Sequence, residues 1–159
     1  MKKFDHANTR PVGTISNDDA MASTEFLNHI LANEYALFTK TLNYHWTVTG
    51  PRFKSLHTFL EGHYESILAM MDGLAERVRV LGETPIGTVK EMKSVMDIDE
   101  VTGKKLSANE MLADLYSTHM TIQESIKEFL RKDEVFASDP GTEDHLVGVL
   151  QKHEMMSWM

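Results

Sequence analysis

Five side chains with metal-binding chemistry recur at helical spacing in the first half of the chain: His45, His57, Glu61, Asp72 and Glu76. From His57 onward the steps are 4, 11 and 4 residues, and at ~3.6 residues per turn each step returns close to the same face of a helix. Two imidazoles and three carboxylates, with no thiolate, form a donor set that suits iron or manganese, and zinc less exclusively. His57 and Asp72 are 15 positions apart, about 22 Å along a helix axis, so one chain cannot close them around one ion. A second copy packed antiparallel across a two-fold axis brings the His57/Glu61 end of one subunit to the Asp72/Glu76 end of the other. The expectation is a metal centre shared between subunits.

A row of charged residues on an amphipathic helix is usually a solvated face. Such faces in this chain mix both signs, as the one with Lys127, Arg131 and Lys132 does, whereas the line from His57 to Glu76 holds no Lys or Arg. Acids and imidazoles gathered without a cation are costly unless a metal neutralises them. Among the remaining histidines, His119 and His153 fall on apolar stripes and are read as satisfied core or interface residues. His6, His29, His63 and His145 have no assigned partner.

The elements that must position these residues follow from periodicity. Residues 1–16, with Pro11 and Gly13 and no repeat of apolar positions, are expected to be a flexible arm. Ser16 or Asn17 followed by Asp18 and Asp19 opens a helix. Its stripe of Leu27, Leu31, Tyr35, Phe38, Leu42 and His45 ends at Thr49-Gly50-Pro51. A second helix is predicted from about Lys54 to Leu81, with Leu60, Tyr64, Ile67, Met71, Leu74, Val78 and Leu81 spaced by threes and fours as in a bundle seam. The metal-binding row sits one residue off that seam, on a flank a neighbour can reach. A short turn joins the two helices, so His45 returns beside His57.

Residues 82–107 form a long link with a short helix near Thr88 to Val95, and Ser107 with Glu110 makes a capping box for a third long helix. The fourth runs from Thr142 to Trp158. Four helices with one long crossover between the second and third predict an all-α, ferritin-like four-helix bundle over residues 17–159.

Composition narrows the function classes. The chain has 159 residues, no cysteine and a formal net charge of −8. Absence of cysteine excludes thiolate zinc sites, disulfides and iron–sulfur clusters. The acidic balance opposes direct binding to DNA phosphates and favours cations. No apolar run approaches the ~20 residues of a membrane span, and no signal-peptide core follows Met1-Lys2-Lys3, so a cytoplasmic protein is expected.

The stretch Leu42-Asn43-Tyr44-His45-Trp46-Thr47-Val48-Thr49-Gly50, then Phe53, Leu56-His57, Glu61, Tyr64, Asp72-Gly73-Leu74-Ala75-Glu76-Arg77 and Leu81-Gly82, resembles the Dps family, the DNA-binding proteins from starved cells or miniferritins. The resemblance extends from the first helix to the closing His153-Glu154-Met155-Met156-Ser157-Trp158-Met159. It implies a hollow dodecamer with a ferroxidase centre at each dimer interface. His45, His57 and Glu61 would come from one subunit, and Asp72 and Glu76 from its two-fold mate. The family often has Asp where this chain has Glu61. The implied activity is oxidation of Fe(II), typically with hydrogen peroxide, at a di-iron or mononuclear site, with storage of ferric mineral and protection from oxidative damage. No organic cofactor is implied.

The larger ferritins instead hold iron inside each bundle through a Glu-x-x-His motif, and no Glu here is followed three residues later by His. Trp46, next to His45, is read either as an electron donor to a stranded oxidising species or as an aromatic packing element at a subunit boundary. Asp139, Glu143 and Asp144 at the start of the fourth helix are read either as helix caps or as a ring of acids lining a cation pore. The alternative to the ferroxidase is a nonspecific DNA-binding nucleoid protein. Family members commonly bind DNA through Lys-rich tails, whereas here the arm carries only Lys2, Lys3 and Arg10 as basic residues and no C-terminal tail is expected.

Overall fold

The computed structural model describes residues 15, 17–101, 103, 105–131 and 138–159. Among the described residues five helices follow one another: α1 (Asn17–Thr47), α2 (Phe53–Val80), α3 (Val89–Val95), α4 (Ala108–Leu130) and α5 (Pro140–Trp158). Among the described residues there is no strand. The four long helices and the single long crossover between α2 and α4 are the all-α architecture the periodicity predicts. The arm expected over residues 1–16 lies outside the described residues except for Ile15, which packs against the core.

α1 and α2 form the most extensive helix pair, α4 pairs with α5, and α1 also packs on α4 and α3. Leu27, Ile30, Leu31, Leu37 and Tyr44 of α1 are buried against Leu60, Ile67, Leu74 and Val78 of α2 in one core that Leu115, Ile122, Ile126, Leu146 and Val149 complete. Each such Leu or Ile contributes roughly 1.5–3 kcal/mol by leaving water.

Turn chemistry sets the helix ends. Gly50 takes φ 104° between α1 and α2, a conformation open to glycine at no steric cost. At the other end of α2, Gly82 takes φ 92°; its N–H donates to the Arg79 carbonyl and that of Glu83 to the Val78 carbonyl. Those two bonds are a Schellman stop. The capping box predicted at Ser107 and Glu110 is present, and a second one, Thr88 with Glu91, starts α3. The hydrogen bonds within these boxes hold the Glu91 and Glu110 carboxyls below their usual range.

The crossover is fastened to α1 by side chains that sequence patterning left unassigned. Asn28 Oδ1 accepts from Ile86 N at 3.1 Å and Asn33 Oδ1 from Asp97 N at 2.8 Å. His29 Nε2 meets Asp97 Oδ2 at 2.5 Å, so the acidic partner of His29 lies on another element, outside its helical register. Met92 and Ile98 of the link are buried beneath. No helix among the described residues is long and apolar enough to cross a membrane.

Candidate metal centre

His45 lies in the last turn of α1 and His57 in the second turn of α2. The tight turn at Gly50 therefore brings them face to face. Their rings stack with centroids 3.6 Å apart and planes 20° apart. His45 Nδ1 donates to the His57 carbonyl at 2.9 Å, and His57 Nδ1 donates to the His45 carbonyl at 2.8 Å. A carbonyl can only accept, so each Nδ1 must carry the proton and each neutral ring keeps its lone pair on Nε2. Two helix backbones thus fix both tautomers in the form a metal ion needs.

Other side chains stiffen this end of the hairpin. Phe53 stacks on His57 at 5.1 Å, Tyr64 meets His45 edge-on at 5.3 Å, and Phe38 meets Tyr64 edge-on at 6.1 Å. Five rings therefore form a continuous row. Tyr44, one residue before His45, donates to Asp114 Oδ2 at 2.7 Å, and Lys40 Nζ sits 3.1 Å from the same oxygen. This ties the end of α1 to α4. Burial, then the hydrogen bond and charge of Asp114, push the Tyr44 phenol up.

Glu61 is one turn beyond His57 and half-buried. Desolvation, then the charges of Glu61 and Glu65 and a hydrogen bond to Glu61, raise the Tyr64 phenol. Tyr64, edge-on to His45, stands beside Glu61 on α2. The sequence places Tyr64 in the seam and in the family pattern without giving it a role; its position three residues after Glu61 was the available signal, because i and i+3 share a face. Asp72 and Glu76 are exposed farther along the same unbroken helix, about 22 Å from His57 to Asp72 at the helical rise per residue. Among the described residues no three His, Asp or Glu side chains are placed to hold one ion within the chain. The histidine pair and the acidic pair stand apart within one chain.

Apolar side chains stand open on this hairpin. Trp46 is 67% exposed, Phe53 46% and Leu68 51%. Trp46 points away from the core that holds its neighbour Tyr44, which is 3% exposed.

The acids at the start of α5 divide. Asp139 is 1% exposed; its Oδ1 accepts from Thr142 N at 3.1 Å and from Arg77 Nη2 at 2.5 Å. Arg77 Nε also donates to Thr142 Oγ1 at 2.8 Å. Asp139 therefore caps α5, the first of the two readings given for it, and pairs with α2. Gly141 makes the approach workable, since a Cβ there would sit 3.0 Å from Arg77 Nη2. Glu143 and Asp144 are exposed.

Comparison with known proteins matches this architecture. The ferritin-like domain family matches residues 24–159. A low temperature-induced protein of Nostoc sp. is 35% identical over 145 residues, covering 91% of this chain and 81% of the relative. DNA protection during starvation protein 2 of Bacillus anthracis is 32% identical over 138 residues, covering 85% of this chain and 91% of that protein. Among solved structures, DpsC from Streptomyces coelicolor superposes with a TM-score of 0.89 at 27% identity, covering 99% of this chain and 91% of that one. A family match running from within α1 to the end of α5, with relatives that share nearly their whole length, means that the chain belongs to the Dps family of the ferritin-like superfamily.

Proposed function

We propose that this protein is a ferroxidase and iron-storage cage whose reaction centre is completed by a second copy of the chain. The observation that carries the reading is the pair of halves on one hairpin: two imidazoles with Nε2 kept free by reciprocal backbone bonds, and two exposed carboxylates too far along α2 to reach them. An antiparallel mate across a two-fold axis presents its Asp72 and Glu76 to His45, His57 and Glu61, and covers Trp46, Phe53 and Leu68. Further copies close the dodecameric cage, with Glu143 and Asp144 proposed to line its cation entry. The protein works in the cytoplasm.

Iron is the substrate. Neutral imidazoles and carboxylates bind Fe(II), and the three carboxylates favour the more highly charged Fe(III), which draws the oxidation forward. Two Fe(II) ions give one electron each to hydrogen peroxide, which takes up two protons and leaves as two waters. Taking both electrons together releases no hydroxyl radical, and dioxygen serves as the slower oxidant. Trp46, beside His45 and at the covered boundary, is proposed to supply an electron when only one iron is present.

Mixing inactive chains tests the sharing directly. His57→Ala chains lack one half and Asp72→Asn/Glu76→Gln chains the other. In a mixed dimer one of the two sites is whole, so random 1:1 reassembly restores about a quarter of the peroxide-dependent oxidation rate. If mixing restores nothing while each variant still assembles, the shared site is wrong. The competing reading is a DNA-coating protein, and the Bacillus anthracis relative is named for DNA protection. With a net charge of −8 a gel shift is expected only when magnesium bridges protein and phosphate, and a shift that survives chelator would favour the competitor.

A further inference from the structure

Each long helix contributes an ionisable side chain to one cluster in the bundle interior: Glu34 from α1, His63 from α2, His119 from α4 and His153 from α5, exposed by 0%, 6%, 2% and 0%. They form a connected chain. His153 Nε2 lies 2.5 Å from Glu34 Oε1, and His153 Nδ1 lies 2.8 Å from His119 Nδ1. The His119 and His63 rings meet edge-on with centroids 6.1 Å apart.

The order of the bonds fixes the protons. A carboxylate at Glu34 only accepts, so His153 donates from Nε2 and keeps its lone pair on Nδ1. That lone pair faces His119 Nδ1, which must therefore donate, and the His119 lone pair is left on Nε2. Burial, then the nearby His153 and His63, lower the pKa of His119 to about 3, so the ring stays neutral. His63 Nε2 is buried with no hydrogen-bond partner among the described residues. His63 and His119 line one cavity of about 500 Å³ whose mouth carries Arg52, Tyr116 and Trp158.

An unpartnered buried imidazole nitrogen is destabilising and calls for a partner. Two imidazoles on one ion, at ~2.0–2.1 Å per bond, set their ring centroids roughly 5–6.5 Å apart, and 6.1 Å falls inside that span. Glu34 and His153 are arranged behind His119 as a carboxylate and its relay stand behind a metal-bound histidine. We propose that His63 and His119 bind a first-row divalent cation of the zinc type inside each bundle, with His153 and Glu34 as positioning residues for His119. Water completes the shell, since no third His, Asp or Glu is placed to join among the described residues. Two imidazoles without a carboxylate favour zinc, cobalt or copper over ferric iron, which separates this position chemically from the carboxylate-rich centre on α2.

The test uses the full chain carrying Asp72→Asn/Glu76→Gln, stripped with chelator, with and without His63→Leu. Leucine removes the unpartnered nitrogen and keeps an apolar side chain beside Phe59, so metal-free folding is expected to survive. In equilibrium dialysis with cobalt(II) the parent is expected to hold about one more ion per chain than its His63→Leu form, with a visible d–d band lost in the latter. Zinc is expected to raise the parent's Tm by about 3–6 °C and leave that of the leucine form unmoved. Residual binding at His45 and His57 is common to both and cancels. Equal cobalt binding in the two proteins, or none in the parent, overturns the proposal. Imidazole nitrogen NMR of the parent decides it even if His63→Leu does not fold: zinc must shift Nε2 of His63 and His119, and unmoved resonances overturn the site.

Discussion

Two pairs of histidines in this bundle are ordered in opposite ways. At the α1–α2 turn, His45 and His57 bond to each other's backbone. In the interior, His119 and His153 bond to each other's side chains and to Glu34. The first arrangement needs only two consecutive helices and a tight turn, so it forms on a single hairpin and leaves its reactive nitrogens for something outside. The second needs side chains from three helices together and can exist only once the bundle has packed. Chemistry at the turn is thus separable from folding, whereas the interior network is part of what folding must satisfy.

The largest effects expected follow from that separation. Asp72→Asn/Glu76→Gln should lower the peroxide-dependent rate of Fe(II) oxidation by roughly 100-fold or more, because both carboxylates of one half are neutralised. Stability should move by no more than about 0.5 kcal/mol, since both positions are exposed. Glu34→Ala should do the reverse. Removing one partner of a buried, hydrogen-bonded pair costs about 3–5 kcal/mol, read as a lower urea midpoint, while oxidation per folded chain stays at the parent rate. Unfolding in the first variant, or lost oxidation in a folded Glu34→Ala, would show that the two regions are one system.

Acid sharpens the contrast next. The ordinary histidine value is 6.5; burial and two neighbouring imidazoles bring His119 to about 3, and burial lowers His63. Both folded-state values are depressed, so between pH 6.5 and about 3 the unfolded chain binds more protons than the folded one. The stability His119 contributes is fully present above pH 6.5 and falls as pH drops toward about 3, by up to about 1.4 kcal/mol per pH unit, and His63 adds to the loss in the same direction. Urea unfolding of chelator-treated protein at fixed concentration should show this slope. His119→Gln, which keeps an N–H toward His153, should reduce it by about one proton's worth. Parallel pH profiles for the two proteins would remove His119 as the cause.

How much of this was legible in the sequence depended on whether a feature repeats. The seam of α2, the link to α4 and the Ser107–Glu110 box are periodic or local, and each was readable. His45 beside His57 was readable too, since a short turn between long helices leaves little choice of register. The reciprocal backbone bonds were not, because they depend on ring rotation. Nor was the partner of His29: Asp97 is 68 residues away on an irregular link, where no period carries information. His119 and His153 were placed on core stripes and read as satisfied, as their bonds to each other and to Glu34 bear out, but spacing could not disclose that α1 buries Glu34 opposite them. Asp139 was ambiguous for the same reason, as its burial is decided by Arg77, 62 residues earlier.

The smallest expected effect concerns Trp46. Its position beside His45 with 67% of its surface open fits both an electron donor and a packing element for the mate, and the two roles separate by what changes in Trp46→Phe. Phenylalanine keeps most of the apolar area, so a packing role predicts weaker association, with a dimer that dissociates at higher protein concentration than the parent. An electron-donor role predicts unchanged assembly and an oxidation rate within about twofold of the parent, because the two-electron step at paired irons does not use the indole. The difference then lies in spin trapping at sub-stoichiometric Fe(II), where chains hold single ions. There the variant should release more hydroxyl radical per iron oxidised, and equal radical yields would leave Trp46 as packing alone. Either result bears on the turn region only, since Trp46 is exposed whereas the interior histidines are buried.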